Sequence, residues 1–340
     1  MTFEWFWYVV AMSDELPEGV VLRRKVLGEW LAIFRGDDGK AVALRDRCMH
    51  RNAPLSKGTV AKGCLSCPYH GWTYDRMGTV VGVPAEGEKF RKTASRATKR
   101  FDTTEEDGFV YVRLAAEAPN DIRPFKMPHY GERGWETVRL INTFDNDVTN
   151  CAENFIDIPH TAFVHFGTFR SSKKQKIDAT IRRTNGSVRI EYRNETDNLG
   201  LFAKFLNPTG KRIEHRDNFY MPNVTSVVYV FNEWMTLYIT SQSVPEENER
   251  TRVYTDVTYN YGLLNRVVRP FIRWHSQQII DQDLDALRDQ MEVIRKYGRS
   301  FNNTTADAIH VMVESINDEI AKGKDPRLLP DKQAEVSFIV

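Results

Sequence analysis

Apolar and polar positions alternate in short runs over the first third of the chain: WFWYVV, WLAIFRG, AVALRD, GTVVGV and FVYVRL. Turn signals such as GDDGK and EEDG separate them, which predicts a small antiparallel β domain over residues 1–115. Residues 116–134 are rich in Pro and acidic side chains and read as a connector. Residues 135–340 are mixed. A helical segment around 148–165 is followed by a basic, polar loop at 170–176. The runs KIDATIRRT, SVRIEYRN, NFYMPNVTSVVYVF, MTLYITSQSV and TRVYTDVTYNY then predict strands, and helices near 264–297 and 306–322 close the chain. Strands followed by helices predict an α+β fold, with an antiparallel sheet covered by helices in the second domain.

Composition narrows the classes. The 340 residues are 41% apolar and 11% aromatic with mixed charges, enough for a large core and for two domains. A formal net charge of +1 argues against nucleic acid as the main partner. No run of 18 apolar residues occurs, and the apolar start MTFEWFWYVV reads as a first strand, neither a leader nor a membrane span. Four cysteines, Cys48, Cys64, Cys67 and Cys151, are too few for a disulfide framework and suit a cytoplasmic protein that uses cysteine for metal. Neither GxGxxG nor GxxxxGK[ST] occurs, so no dinucleotide or nucleoside triphosphate site is signalled.

Residues 48–72 read CMHRNAPLSKGTVAKGCLSCPYHGW. Cys48-x-His50 and Cys67-x-x-His70 are separated by sixteen residues, each half placing one Cys and one His on one tight loop. Two thiolates for one iron and two neutral imidazoles for the other suit a [2Fe–2S] cluster clamped from two sides. Gly71 fits a loop whose backbone approaches closely. A structural zinc site is the alternative, although zinc pairs favour like residues at C-x-x-C and H-x₃₋₅-H spacing. Cys64 reads as a small buried hydrophobe.

A second constellation is ENFIDIPHTAFVH, residues 153–165. His160 and His165 are five apart, which rotates them about 140° on a regular helix, so both reach one metal only if the helix is distorted. Pro159 supplies a reason for a break. Asp157, one turn before His160, can hydrogen-bond the ring nitrogen that does not hold metal. Two histidines and one carboxylate form the facial set of a non-haem Fe(II) site. In IIDQDLDALRDQMEVI the apolar stripe is Ile280, Leu284, Leu287, Met291 and Ile294. Asp283 lies about 60° from its centre, against about 100°, 140° and 180° for Asp281, Asp285 and Asp289, and so points most nearly inward.

Together these motifs resemble the Rieske non-haem iron oxygenases, from Trp7 to the final helices. Cys48, His50, Cys67 and His70 match the cluster motif, and ENFxDxxHxxxxH with a later helical Asp matches the mononuclear iron site. The extra cysteines that pair as a disulfide in high-potential Rieske proteins are absent, Ala53 and Tyr69 standing in the comparable places. The resemblance implies that His160, His165 and Asp283 hold the iron. It implies that Asp157 bridges to the cluster of a neighbouring subunit in a head-to-tail homotrimer. It also implies a terminal oxygenase using O₂ and electrons from NAD(P)H, delivered by a separate reductase with or without a ferredoxin. Size and motif layout are similar to the branch that includes vanillate and dicamba O-demethylases and caffeine N-demethylases. That implies hydroxylation or oxidative O- or N-demethylation of an aromatic or heterocyclic small molecule, with cis-dihydroxylation as the alternative. A pure electron carrier would need only the first motif and about 100–150 residues.

Several further side chains are candidates without a fixed role. The aromatics Phe163, Phe166, Phe169, Phe202, Phe205, Tyr220, Tyr229, Phe231, Trp234, Tyr238 and Tyr254 suggest an apolar pocket. Lys204 and Arg212 would suit an anionic substrate group. Arg51, Lys57 and Lys62 are either docking charges for a reductase or solvated surface. The run SSKKQK at 171–176 is an entrance loop or a polar linker.

Overall fold

The computed structural model describes residues 1–168, 174–195, 213–232 and 235–340. They form two compact units, one of Glu4–Lys126 with Pro245–Glu247, the other of Met1–Phe3, Met127–Val244 and Asn248–Val340.

In the first unit the β-rich runs become β1 (Tyr8–Met12), β2 (Leu22–Val26), β3 (Glu29–Arg35) and β4 (Ala41–Arg45), followed by β5 (Thr59–Ala61), β6 (Cys64–Ser66), β7 (Thr73–Tyr74) and β8 (Val80–Gly82). The unit closes with β9 (Arg100–Glu106) and β10 (Phe109–Arg113). Six of these form one sheet in the order β1-β10-β9-β4-β3-β2, and β5-β6-β7-β8 form another. β4 meets β9 through Ala43↔Phe101 and Leu44↔Arg100, so residues 46–99 leave and rejoin the larger sheet at one point. That excursion carries both Cys/His loops. Beneath them Phe34, Val42, Leu44, Leu55, Leu65, Tyr74 and Val80 form an apolar cluster that also contains Cys48 and Cys67.

The second unit starts with β11 (Glu136–Phe144), then two short helices, α1 (Val148–Asn154) and α2 (Ile158–Thr161). Six strands follow: β12 (Lys176–Thr184), β13 (Ser187–Arg193), β14 (Glu214–Tyr220), β15 (Val224–Asn232), β16 (Met235–Glu247) and β17 (Arg250–Asn260). The 33-residue α3 (Asn265–Tyr297), α4 (Ala308–Ala321) and β18 (Lys332–Ile339) end the chain. The eight-stranded sheet runs β11-β17-β16-β15-β14-β13-β12-β18. The buried stripe of α3, including Val268, Ile272, Ile280 and Leu287, joins Val138, Leu140, Phe144, Tyr229 and Val257 in one core. The α+β architecture is the one expected.

Three local expectations need correction. The run NFYMPNVTSVVYVF is two strands, β14 and β15, because the chain reverses at 221–223, where Pro222 has no N–H for a ladder. The helical segment 148–165 breaks at 155–157, earlier than Pro159, because Asp157 caps a new helix and Pro159 occupies its first turn, where a missing N–H costs nothing. Cys64 is half-buried on β6, not a core residue. The predicted runs also omit β2, β5, β6, β7 and β9 of the first unit and β11 and β18 of the second. In β18 only Val336 and Phe338 are buried between charged and polar neighbours, which blurs the alternation.

A polar knot ties α1 to α3. Buried Asn146 donates from Nδ2 to the Leu287 carbonyl at 2.7 Å and to Gln290 Oε1 at 2.9 Å, while its Oδ1 accepts from Asp147 N at 2.8 Å and Asn150 Nδ2 at 2.9 Å. Asp147 in turn caps α1 by accepting from the amides of Thr149 and Asn150, both at 3.0 Å. Asn146→Ala leaves several buried partners unpaired and is expected to cost about 2 kcal/mol, read as a lowered denaturation midpoint of the second unit.

Candidate metal centres

The Cys/His loops are shaped by their own backbone. Cys48 N donates to the Ala53 carbonyl at 2.8 Å and Cys67 N to that of Trp72 at 2.8 Å, while Asn52 N and Gly71 N close back on the carbonyls of Cys48 and Cys67. Gly71 has φ +71°, and a Cβ there would lie 2.9 Å from Pro84 Cγ, so the turn requires glycine. The cysteines are buried and the histidines face outward, His50 half-buried and His70 exposed. The two imidazoles meet edge to face at 4.5 Å, and Trp72 stacks on His50 at 4.9 Å and 2°.

The electrostatics suit a metal cluster. His50 Nδ1 is buried without a hydrogen-bond partner. Burial, then His70 and Arg51, push its pKa below the ordinary value, leaving the neutral ring a metal requires. Burial raises the Cys67 thiol and its neighbour Cys48 adds to this, against the amides of Tyr69 and His70 that favour the thiolate. Tyr74, fully buried, donates its hydroxyl to Cys48 Sγ at 3.2 Å and accepts from Met49 N at 2.9 Å. The donor set, with an orphaned imidazole nitrogen among two buried thiols, fits a [2Fe–2S] cluster.

In the second unit His160 lies on α2, His165 just beyond it, and Asp283 on the buried stripe of α3. α2 ends at Thr161, between the two histidines, and the turn that follows brings both rings to one point. Their Nε2 atoms are 3.3 Å apart, and Asp283 Oδ1 lies 3.2 Å from His165 Nε2 and 3.6 Å from His160 Nε2. One ligand atom from each of the three falls within 4.8 Å of the others. Asp281, Asp285 and Asp289 are exposed, whereas Asp283 is 4% exposed. Its Oδ1 forms no hydrogen bond. Burial would raise its pKa, but His160 and His165 lower it to about 2. Burial likewise opposes protonation of His160, while Asp157 and Asp283 raise it to about 9. A buried carboxylate whose Oδ1 faces two imidazole nitrogens without a hydrogen bond to either fits a divalent cation.

The remaining ring nitrogens are held from behind. His160 Nδ1 is 3.3 Å from Asp157 Oδ2, as expected from their one-turn spacing. His165 Nδ1 donates to Gln282 Oε1 at 2.8 Å, and Gln282 Nε2 donates to Thr168 Oγ1 at 3.1 Å. Gln282 and Tyr74 were not anticipated. Gln282 stands one residue before Asp283, but only the fold shows that it reaches His165.

An apolar cavity of about 130 Å³ adjoins the trio. Its sheet side is built from alternate positions on neighbouring strands: Thr225, Val227 and Tyr229 of β15, Ile239 and Ser241 of β16, Thr255 and Val257 of β17. Of the aromatics singled out, Tyr229 lines it. Phe163 and Phe166 are 82% and 60% exposed. Phe169, Phe202, Phe205, Trp234, Lys204, Arg212 and residues 171–173 of the polar run lie outside the described residues. A second, polar cavity of about 450 Å³ touches Asp157, His160, Glu153 and His310.

Residues 6–101 match the Rieske [2Fe-2S] domain, and residues 144–323 match the vanillate O-demethylase oxygenase C-terminal domain. The methylxanthine N1-demethylase NdmA of Pseudomonas putida is 32% identical over 202 residues, 56% of each chain. The oxygenase component of dicamba O-demethylase from Stenotrophomonas maltophilia is 32% identical over 205 residues, 59% of each chain. The match therefore spans little more than half the length of these curated relatives. The crystal structure of dicamba monooxygenase bound to dicamba superposes with a TM-score of 0.79 at 22% identity, over 95% of this chain and 98% of that one. NdmA with caffeine gives 0.76 at 22%, over 97% and 96%. At that identity the likeness is one of fold.

Asp283→Ala is expected to remove the mononuclear metal and turnover while leaving the visible absorption of the cluster intact; loss of that absorption contradicts the division of ligands. Gln282→Ala is expected to weaken mononuclear metal binding about 10–100-fold, measured by competition with a chelator, since the ring of His165 loses its orienting partner.

Proposed function

The chain belongs to the Rieske oxygenases with a C-terminal domain of the vanillate O-demethylase type, and from that premise we propose that it is the terminal oxygenase of a multicomponent system. It takes electrons that originate in NAD(P)H from a separate reductase, with or without a ferredoxin, and monooxygenates an aromatic or heterocyclic small molecule. Hydroxylation and oxidative O- or N-demethylation are the reactions assigned to it. The observation that carries this reading is the convergence of His160, His165 and Asp283 on one point beside an apolar cavity.

Cys48, His50, Cys67 and His70 are assigned to the [2Fe–2S] cluster, and His160, His165 and Asp283 to mononuclear Fe(II). When bound, these groups supply one-electron storage and O₂ activation. The chain's own residues do the rest. Tyr74 holds Cys48 by a hydrogen bond, and Gly71 lets the second loop close. Asp157 and Gln282 fix the two histidine rings so that each presents Nε2. Asp157 has a 41% exposed side chain against 6% for Asp283, which suits a bridging role toward a neighbouring subunit, the former facing outward and the latter inward. The apolar lining excludes water and orients a ring. We assign a head-to-tail ring of three identical chains. The four cysteines form no disulfide, which fits a reducing compartment, the cytoplasm. No helix among the described residues is long and apolar enough to cross a membrane.

Metal analysis of the purified protein is expected to give about three irons and two sulfides per chain. Two and two would reduce the chain to an electron carrier. Turnover with a surrogate reductase against methoxy-, N-methyl- and unsubstituted rings, with products identified by mass, is expected to yield monooxygenated or demethylated products.

A further inference from the structure

The sheet side of the cavity carries a buried polar assembly that metal binding leaves unused. His215 and Asp217, two apart on β14, both line the cavity. His215 Nδ1 lies 2.7 Å from Glu195 Oε2, and its Nε2 lies 2.9 Å from Asp217 Oδ1. Tyr192 donates its hydroxyl to Asp217 Oδ2 at 2.8 Å. The imidazole is stacked between Tyr192 at 4.4 Å and Tyr229 at 4.1 Å. His215 and Asp217 are each 2% exposed and Glu195 is 1% exposed.

Such an assembly is costly to bury in an apolar wall, and perturbed buried groups in a cleft mark a site of use. Burial would lower the pKa of His215, but Asp217 and Glu195 raise it to about 9, so the ring is an imidazolium at neutral pH. Both of its N–H groups are directed at carboxylates, which leaves no donor for an incoming anion. Asp217 accepts one bond on each oxygen, and each oxygen has a second lone pair, so acceptor capacity remains. Among the described residues lining the cavity there is no Lys or Arg. The volume of about 130 Å³ is on the scale of one ring, an apolar cavity of roughly 150 Å³ being enough for benzene.

We propose, building on the oxygenase reading, that Asp217 is the specificity-determining residue of this cavity. It accepts a hydrogen bond from an O–H, N–H or ammonium group on a neutral or cationic single-ring substrate, and this wall disfavours rings that carry a carboxylate or sulfonate. Thr225, Ser241 and Thr255 lie on the same face of the sheet, with Ser241 Oγ and Thr255 Oγ1 paired to each other at 3.0 Å. They add polarity without charge.

Calorimetric binding of four probes to the metal-loaded protein tests this: para-methoxyphenol, para-methoxyaniline, para-methoxybenzoate and para-methoxybenzenesulfonate. The phenol and aniline are expected to bind at least about tenfold more tightly than the two anions. In Asp217→Asn that gap is expected to shrink at least about fivefold with the cluster absorption unchanged. Equal or tighter binding of the anions, failure of all four to bind, or an unchanged gap in Asp217→Asn would each overturn the assignment. Should the variant fold poorly, the wild-type comparison decides alone. Binding needs no turnover. A chain that binds the phenol without oxygenating any ring contradicts the oxygenase reading only, and one that oxygenates anionic rings alone contradicts the role of Asp217 only.

Discussion

The second unit depends on keeping one carboxylate, Asp283, inside an apolar helix–sheet core. A buried carboxylate without a cation is among the most unfavourable things a core can contain. Here the core meets it with two imidazoles, and both reach one oxygen because α2 ends at Thr161, between His160 and His165. Asp157 starts α2 by capping it, and the same side chain then holds the ring of His160. Helix initiation and the orientation of the His160 ring thus rest on one side chain.

Both centres share a feature: a buried polar atom that makes no hydrogen bond. At the cysteine–histidine loops it is His50 Nδ1, and at the trio it is Asp283 Oδ1. Folded proteins rarely leave such atoms unsatisfied, and where they do, a metal is a natural partner. The surroundings differ to suit different tasks. Two buried thiols beneath outward-facing imidazoles present the histidine edge to solvent, whereas Asp283 is enclosed beside a ring-sized cavity.

Much of this was legible in the sequence because the informative spacings are local. Two short loops specify the first centre, and the phase of one helix singles out Asp283 from four neighbouring aspartates. Asp157 was legible because it is one turn from His160. What escaped notice is long-range. Tyr74 reaches Cys48 across two loops, Gln282 reaches His165 from α3, and His215 meets Glu195 only after β14 has paired. The aromatic residues were a poor guide, since aromatic density reports core formation as readily as a pocket, and Tyr229 alone of the described candidates lines the cavity. The β14–β15 turn was hidden by apolar residues on both sides of Pro222.

The central claim is that electrons stored at one centre are spent on oxygen chemistry at the other. The most direct measurement is a single turnover: reduce the protein without air, then add isotopically labelled O₂ and a ring that binds the cavity. The account predicts recovery of the oxidised cluster absorption together with either a hydroxylated ring carrying one labelled oxygen atom or a demethylated ring and one formaldehyde. Reoxidation of the cluster with neither product would contradict it.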